Sequence, residues 1–364
     1  MNSKQRVMAA LQGSLPDRVP AFIMSRHYSM RLANLSFKSC LEDISGEKYA
    51  KAQAEAYRLY GYDGVMDLEG VNAESEAFGS VLAISEDVSP SVIVPRIQDI
   101  EEIEHLEIPD IKKSQTIIRQ VNVVKNLRKY IGTEVPIYAN VQCPFRSAAM
   151  LRGMDNFLRD LYKNPKKAHK LLEKTTQIAF LYGKELVENG SDILMPSNPM
   201  ASRNVISREH YREFAFPYDK EMVDSFRKVG ICSILHICGD VSDRLDLIAD
   251  TGYDGASLDS MVDLAYAKKK VGARICLIGN VDVFNPLREG TPAEVAKKAE
   301  ECIKKAGTDG GFMLSAGCEV VADTPEENLI ALIETSKRSF YIDNHEGKSN
   351  GKGVVIGPAK SIPA

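Results

Sequence analysis

His236, Cys238 and Cys318 are the residues in this chain whose types and spacing best suit chemistry. In the run His236-Ile237-Cys238-Gly239, positions i and i+2 point to the same side of an extended strand, so imidazole and thiol can converge. One imidazole and two thiolates form a zinc donor set, and three protein ligands leave a fourth position for water or substrate. Packing is the competing reading, because buried cysteine often serves as a small apolar residue. Of the remaining cysteines, Cys232 and Cys276 at strand starts and Cys302 in a helix read as structural, while Cys40 and Cys143 are ambiguous. The other histidines, His27 among them, read as surface or local hydrogen bonding.

These residues need elements to position them, and short apolar runs alternate with long amphipathic stretches along most of the chain. Strands are expected at 19–24, 64–68, 136–141, 192–197, 232–238, 255–260, 276–282 and 311–318. Their near-continuous apolar character suits parallel strands covered on both faces. Helix starts are marked by Thr291-Pro292 with Glu294 and by Thr324-Pro325 with Glu327, both of capping-box form. Ser207 opens another amphipathic stretch, and Asn164-Pro165 marks a helix break. Eight strands with intervening helices imply an α/β fold, a (β/α)8 TIM barrel, with a doubly wound open sheet as the runner-up.

Barrel chemistry sits at the C-terminal strand ends. Here those ends carry Met24, Asp67, Gln142, Cys143, Asn198, His236, Cys238, Asp259, Asn280, Asp282 and Cys318. Asp259 is either a cap or a substrate contact, and Asn198 can be turn chemistry. Residues 1–344 read as one barrel domain. Residues 69–112 form an insertion between strands 2 and 3 at the mouth, with an antiparallel pair at 78–84 and 91–94. The stretch 345–364, rich in Gly, Lys, Ser and Pro, is expected to be disordered.

The 364 residues are 44% hydrophobic and 26% charged, which is globular composition. A formal net charge of −4 leaves no footprint for non-specific nucleic-acid binding. No apolar run approaches the roughly 18 residues of a membrane span. Seven scattered cysteines and an N-terminus without an apolar signal core point to a reducing cytoplasm.

Beyond the site itself, the chain resembles the uroporphyrinogen decarboxylase superfamily. The resemblance rests on Arg6-Val7-Met8-Ala9-Ala10-Leu11 with Pro16-Asp17-Arg18-Val19-Pro20, and on Glu76-Ala77-Phe78-Gly79. It continues through Pro144-Phe145, Leu151-Arg152-Gly153 and Gly279-Asn280-Val281-Asp282. Within the superfamily, His236-x-Cys238-Gly239 with distal Cys318 resembles the zinc signature of the methylcobalamin:coenzyme M methyltransferase branch. The arginine-rich clamp of the decarboxylases is mostly missing, since the stretch after the first strand reads Met24-Ser25-Arg26-His27-Tyr28-Ser29-Met30-Arg31. Where the methyltransferases carry Asp-Pro-x-Ala-Ser, this chain has Asn198-Pro199-Met200-Ala201-Ser202, which leaves the acceptor open among coenzyme M, a tetrahydrofolate-type acceptor and another thiol.

The resemblance implies a Zn2+-dependent methyltransferase, with His236, Cys238 and Cys318 as catalytic metal ligands. Asn198, Ser202, Asp259, Asn280 and Glu76 are the expected substrate contacts. Glu319 or Asp240 is available as a fourth protein ligand. The methyl donor would be a methylcorrinoid carried on a separate corrinoid protein, and the acceptor a small-molecule thiol. Two alternatives stand beside it. One is a methyltransferase running from a methoxylated or methylamine-type donor to a corrinoid protein or on to tetrahydrofolate. The other is a decarboxylase-like lyase or tetrapyrrole-binding protein. The sequence does not fix the oligomeric state.

Overall fold

The computed structural model describes residues 1–68, 72–86, 88–343 and 352–358. Its centre is a seven-stranded, all-parallel sheet. The strands are β1 (Val65–Met66), β4 (Ile137–Gln142), β5 (Ile193–Ser197), β6 (Cys232–Ile237), β7 (Gly255–Leu258), β8 (Cys276–Val281) and β9 (Phe312–Ala316), adjacent in that order. β2 (Val81–Ala83) and β3 (Ser91–Val94) pair antiparallel outside the sheet, as their sequence suggests. Each expected strand from 64–68 to 311–318 is found, with nearly every position of the central strands buried.

The segment at 19–24 departs from expectation in extent, because it is reduced to a single parallel bridge, Ala21 to Leu314. On one side Phe22 N–H donates to Leu314 O and Leu314 N–H donates to Pro20 O, each at 2.9 Å. On the other side Asp63 N–H donates to Ala21 O at 2.7 Å. Two features shorten the ladder. Pro20 has no N–H to give, and Ala21 N–H is taken by the Asp63 carboxylate at 2.9 Å instead of a backbone carbonyl. The segment therefore bonds to both β9 and the lead into β1, and the arrangement fits a (β/α)8 barrel.

Side chains from successive strands fill the enclosed space: Phe22, Met66, Tyr138, Met195, Ile234, Ile278 and Met313 are all buried in one cluster. Val7, Ala10 and Leu11 from the helix Ser3–Leu11 join that cluster. Cys276 also belongs to it, in keeping with its reading as core.

The helix signals mostly hold. Thr291 makes the full capping box with Glu294, and Asn164 separates helices Met154–Lys163 and Pro165–Glu188. Ser207 caps its helix through His210 N–H. The second box does not form. Helix Glu326–Lys337 takes Pro325 as its N-cap, one residue later than expected, and the buried Thr324 hydroxyl has no hydrogen-bond partner.

The stretch expected to be a disordered tail also needs correction. Strand β11 (Lys352–Ile356) pairs antiparallel with β10 (Ser339–Asp343) over five residue pairs. Three consecutive β-branched residues, Val354, Val355 and Ile356, supply the strand propensity that the polar composition around them hides. Residues 345–351 and 359–364 lie outside the described residues, as do 69–71 and 87 of the expected insertion. Among the described residues no helix is long and apolar enough to cross a membrane.

Candidate metal centre and its cavity

β6 delivers His236 and the loop after it delivers Cys238, while the loop after β9 delivers Cys318. His236 Nε2 lies 3.1 Å from Cys238 Sγ and 3.7 Å from Cys318 Sγ, and the two sulfurs are 3.5 Å apart. Donors bound at about 2.0–2.3 Å to a tetrahedral zinc stand roughly 3.5–3.8 Å from one another. The three atoms therefore already approximate one face of such a tetrahedron. Among the described residues this is the only group of three or more metal-capable side chains.

Local structure fixes each donor. His236 Nδ1 lies 3.0 Å from Ser257 Oγ on the neighbouring strand, which leaves Nε2 facing the sulfurs. Gly239 turns the chain just past Cys238 at φ +93°, and a Cβ there would sit 2.9 Å from Asn204 Oδ1 and 3.1 Å from Ser202 Cβ. The turn is secured by Asp259, whose Oδ2 accepts Gly239 N–H at 2.9 Å. The adjacent Cys238 thiol, together with burial, pushes the Cys318 thiol up from its ordinary value, against the pull of His236. Close thiols resist ionising together unless a cation compensates them.

The triad lines a cavity of about 210 Å³, shared with Met24, Arg26, His27, Asn140, Arg146, Met195, Ser197, Pro199 and Glu319. Glu319 is engaged on two sides. Arg26 Nη1 donates to it at 3.0 Å, His27 N–H donates at 3.0 Å, and His27 Nδ1 lies 3.3 Å away. Although burial alone would raise it, Arg26 and His27 hold the Glu319 carboxyl below its ordinary range. Arg26 Nε also donates to Asp67 O at 3.1 Å. Neither acidic residue offered as a fourth ligand joins the metal-capable group. Glu319 is held as described, and Asp240 accepts from Arg203 and from Ser242 N–H.

The five expected substrate contacts are placed around the triad and on neighbouring elements as follows. Asp259 holds the Gly239 turn, and Asn280 Nδ2 donates to Asp259 O and Val262 O at 2.9 and 2.7 Å. Ser202 packs beside Gly239 and donates to Pro199 O. Asn198 follows β5, its N–H donating to His236 O at 2.9 Å, while both polar atoms of its buried amide lack partners. Glu76 accepts from Ser114 Oγ at 2.6 Å. None of the five is among the side chains lining the 210 Å³ cavity. Nearby, Glu74 is the buried carboxyl, pushed up to about 7 by burial against the hydrogen bond it accepts from Gln142 N–H.

Sequence reasoning missed Arg146, Asn140, Met195 and Ser197 as lining residues, and it read His27 as surface or local hydrogen bonding, of which the hydrogen bonding is found, to Glu319. Position after a strand end was the available signal for Ser197 and Arg146, which close β5 and follow β4 by four residues.

The uroporphyrinogen decarboxylase (URO-D) family model matches residues 2–339. The methylcobamide:CoM methyltransferase MtbA of Methanosarcina acetivorans is 30% identical over 340 residues, covering 93% of this chain and 98% of that protein. A methylated-thiol–coenzyme M methyltransferase of Methanosarcina mazei is 29% identical, covering 98% and 95%. Among solved structures, a methyltransferase from Methanosarcina mazei superposes with a TM-score of 0.84 at 25% identity, covering 92% of this chain and 97% of its own. With a family match along nearly its whole length and relatives of this kind, the chain belongs to the uroporphyrinogen decarboxylase family, in the part of it that holds methyltransferases.

Proposed function

We propose that this protein is a zinc-dependent methyltransferase that moves a methyl group from a methylated corrinoid, carried on a separate protein, to a thiol such as coenzyme M. The observation that carries the reading is the His236–Cys238–Cys318 group opening into a small cavity. Decarboxylation of a porphyrinogen would leave such a donor set without a purpose. The relatives named above support methyl transfer to coenzyme M.

His236, Cys238 and Cys318 would hold the ion. Zinc bound there would supply a lowered thiol pKa, presenting the acceptor as thiolate at neutral pH. The chain's own residues do the rest. Ser257 holds His236 by Nδ1, and Asp259 holds the Cys238 turn through Gly239 N–H. Met24, Met195 and Pro199 give the cavity wall beside the triad apolar surface. Two cysteinates and a neutral imidazole balance the charge of the ion, so an added thiolate stays nucleophilic.

At about 210 Å³ the cavity is smaller than the roughly 300–1,000 Å³ of sites for drug-sized ligands. A short thiol suits it better than a pteridine. The corrinoid, far larger, must approach from outside the cavity, and the insertion 69–112, between β1 and β4, would sit beside that approach at the barrel mouth. Methyl transfer is tested by supplying free methylcobalamin with coenzyme M and following loss of the methyl–cobalt absorbance. Turnover is expected; turnover only in the direction of corrinoid methylation from a methoxylated or methylamine-type donor would replace this reading with the opposite half-reaction.

A further inference from the structure

Two of the three metal-capable side chains are close enough to react with each other. Cys238 Sγ and Cys318 Sγ stand 3.5 Å apart, in van der Waals contact. A disulfide bond is about 2.05 Å long, so an approach of about 1.5 Å joins them. Each sulfur sits just past the end of its strand, Cys238 after β6 and Cys318 after β9. Rotation about their Cα–Cβ bonds moves the sulfurs while the paired strands stay in place.

Access separates this pair from the other cysteines. Cys238 and Cys318 are half-buried and line the 210 Å³ cavity. Cys40, Cys143, Cys276 and Cys302 are buried. The sulfurs of Cys143 and Cys302 contact Tyr253 Oη and Asn280 Oδ1, at 3.7 and 3.8 Å. Cys232 is half-buried too, but it opens β6 and lies at the far end of the strand that leads to Cys238. A small oxidant entering the cavity therefore meets two thiols at once. Donors around a tetrahedral zinc stand roughly 3.5–3.8 Å apart, whereas bonded sulfurs stand at about 2.05 Å, so metal and disulfide exclude each other. With the sulfurs joined, His236 is the one donor left in the group.

We propose that Cys238 and Cys318 form a reversible redox pair, which a peroxide converts to a disulfide that shuts the site to metal and a dithiol reopens. One thiolate attacks a peroxide oxygen, the O–O bond breaks, and the hydroxide released takes the thiol proton away as water, leaving a sulfenic acid. The second sulfur then attacks the sulfenic sulfur. An S–S bond forms, the S–O bond breaks, and a second water leaves with the second proton. The two cysteines give up two electrons and one peroxide takes them. A dithiol returns the electrons by thiol–disulfide exchange and is itself oxidised. The cross-link needs no metal, so it goes beyond the methyl-transfer reading; only the loss of zinc rests on that reading.

The test treats purified wild type, both zinc-loaded and stripped by a chelator, with hydrogen peroxide and then blocks remaining thiols without reductant. Peptide mapping by mass spectrometry should find Cys238 linked to Cys318, with two of the seven thiols lost. Cys318→Ser should give no link, and Cys232→Ser should behave as the wild type. A chromophoric chelator present during oxidation of the loaded protein should register one zinc for each cross-link. Dithiothreitol should restore both thiols and the capacity to bind zinc. Separate oxidation of the two cysteines without a link, a link through Cys232, or a cross-linked protein that keeps its zinc would overturn the proposal. A wild type that holds no zinc before oxidation ends the metal reading above, and the peptide map of that protein then decides the redox pair alone.

Discussion

An imidazole can offer Nε2 to a cation reliably only when Nδ1 is engaged elsewhere, and Ser257 Oγ at 3.0 Å does this for His236. Ser257→Ala should therefore weaken zinc affinity by about 10–100-fold without removing a ligand, measured by competition with a chromophoric chelator. Asp259→Ala should act in the same direction by freeing the Gly239 turn. The triad was legible in the sequence because two of its members are local: a His-x-Cys spacing on a strand fixes their common side whatever the rest of the fold does. Arg146 and Ser197 were not, because what brings them together at the cavity is a hydrogen bond across 51 positions. Glu76 and Glu74 show the same limit. They sit two residues apart on one short helix, and only packing decides that Glu74 is the buried one.

Helices show where local chemistry succeeds and where tertiary placement overrides it. Thr291→Ala should cost about 1 kcal/mol in thermal or denaturant unfolding, because the Thr291–Glu294 box is complete. Thr324→Val should cost little or be stabilising, since its buried hydroxyl makes no hydrogen bond. The two sites read alike as sequence and differ because the second helix starts a residue late. A larger effect is expected from helix Phe216–Lys228, which carries Asp219 fully buried and outside any ion pair among the described residues. Burial pushes this carboxyl from 3.8 to about 8, against a hydrogen bond from Cys143. Raised in the folded state, it binds its proton more tightly there than in the unfolded chain. Its contribution is complete below about pH 4 and is lost as pH rises to about 8, with a slope of up to about 1.4 kcal/mol per pH unit. Asp219→Asn should flatten that slope in unfolding measured from pH 5 to 8. An unchanged slope would show that Asp219 does not titrate in this window.

At the scale of the whole molecule, one buried carboxylate ties the opening of the chain to the sheet. Asp63 pairs with Arg6 at 2.7 Å and Arg18 at 2.8 Å, and accepts Ala21 N–H at 2.9 Å where the reduced first strand meets β1. Arg6 and Arg18 belong to the opening motifs through which the family resemblance was read, so that part of the signature records closure of the fold rather than chemistry. Asp63→Ala should cost on the order of 3–5 kcal/mol, because it leaves Arg6 largely buried with Asp17 as its one remaining carboxylate beside the Met1 carbonyl. The alternation of strands and helices was readable from the chain, whereas the single-residue first strand was not, since it depends on a side chain from another segment capturing Ala21 N–H. Thiol activation at this site requires His236, Cys238 and Cys318 to serve one ion. Zinc content of the purified protein, measured by plasma mass spectrometry beside His236→Ala and Cys318→Ala, tests this most directly. Near one zinc per chain in the wild type, lost in both variants, is the predicted result. A wild type that holds no zinc even after reconstitution, or variants that keep it in full, would contradict the account.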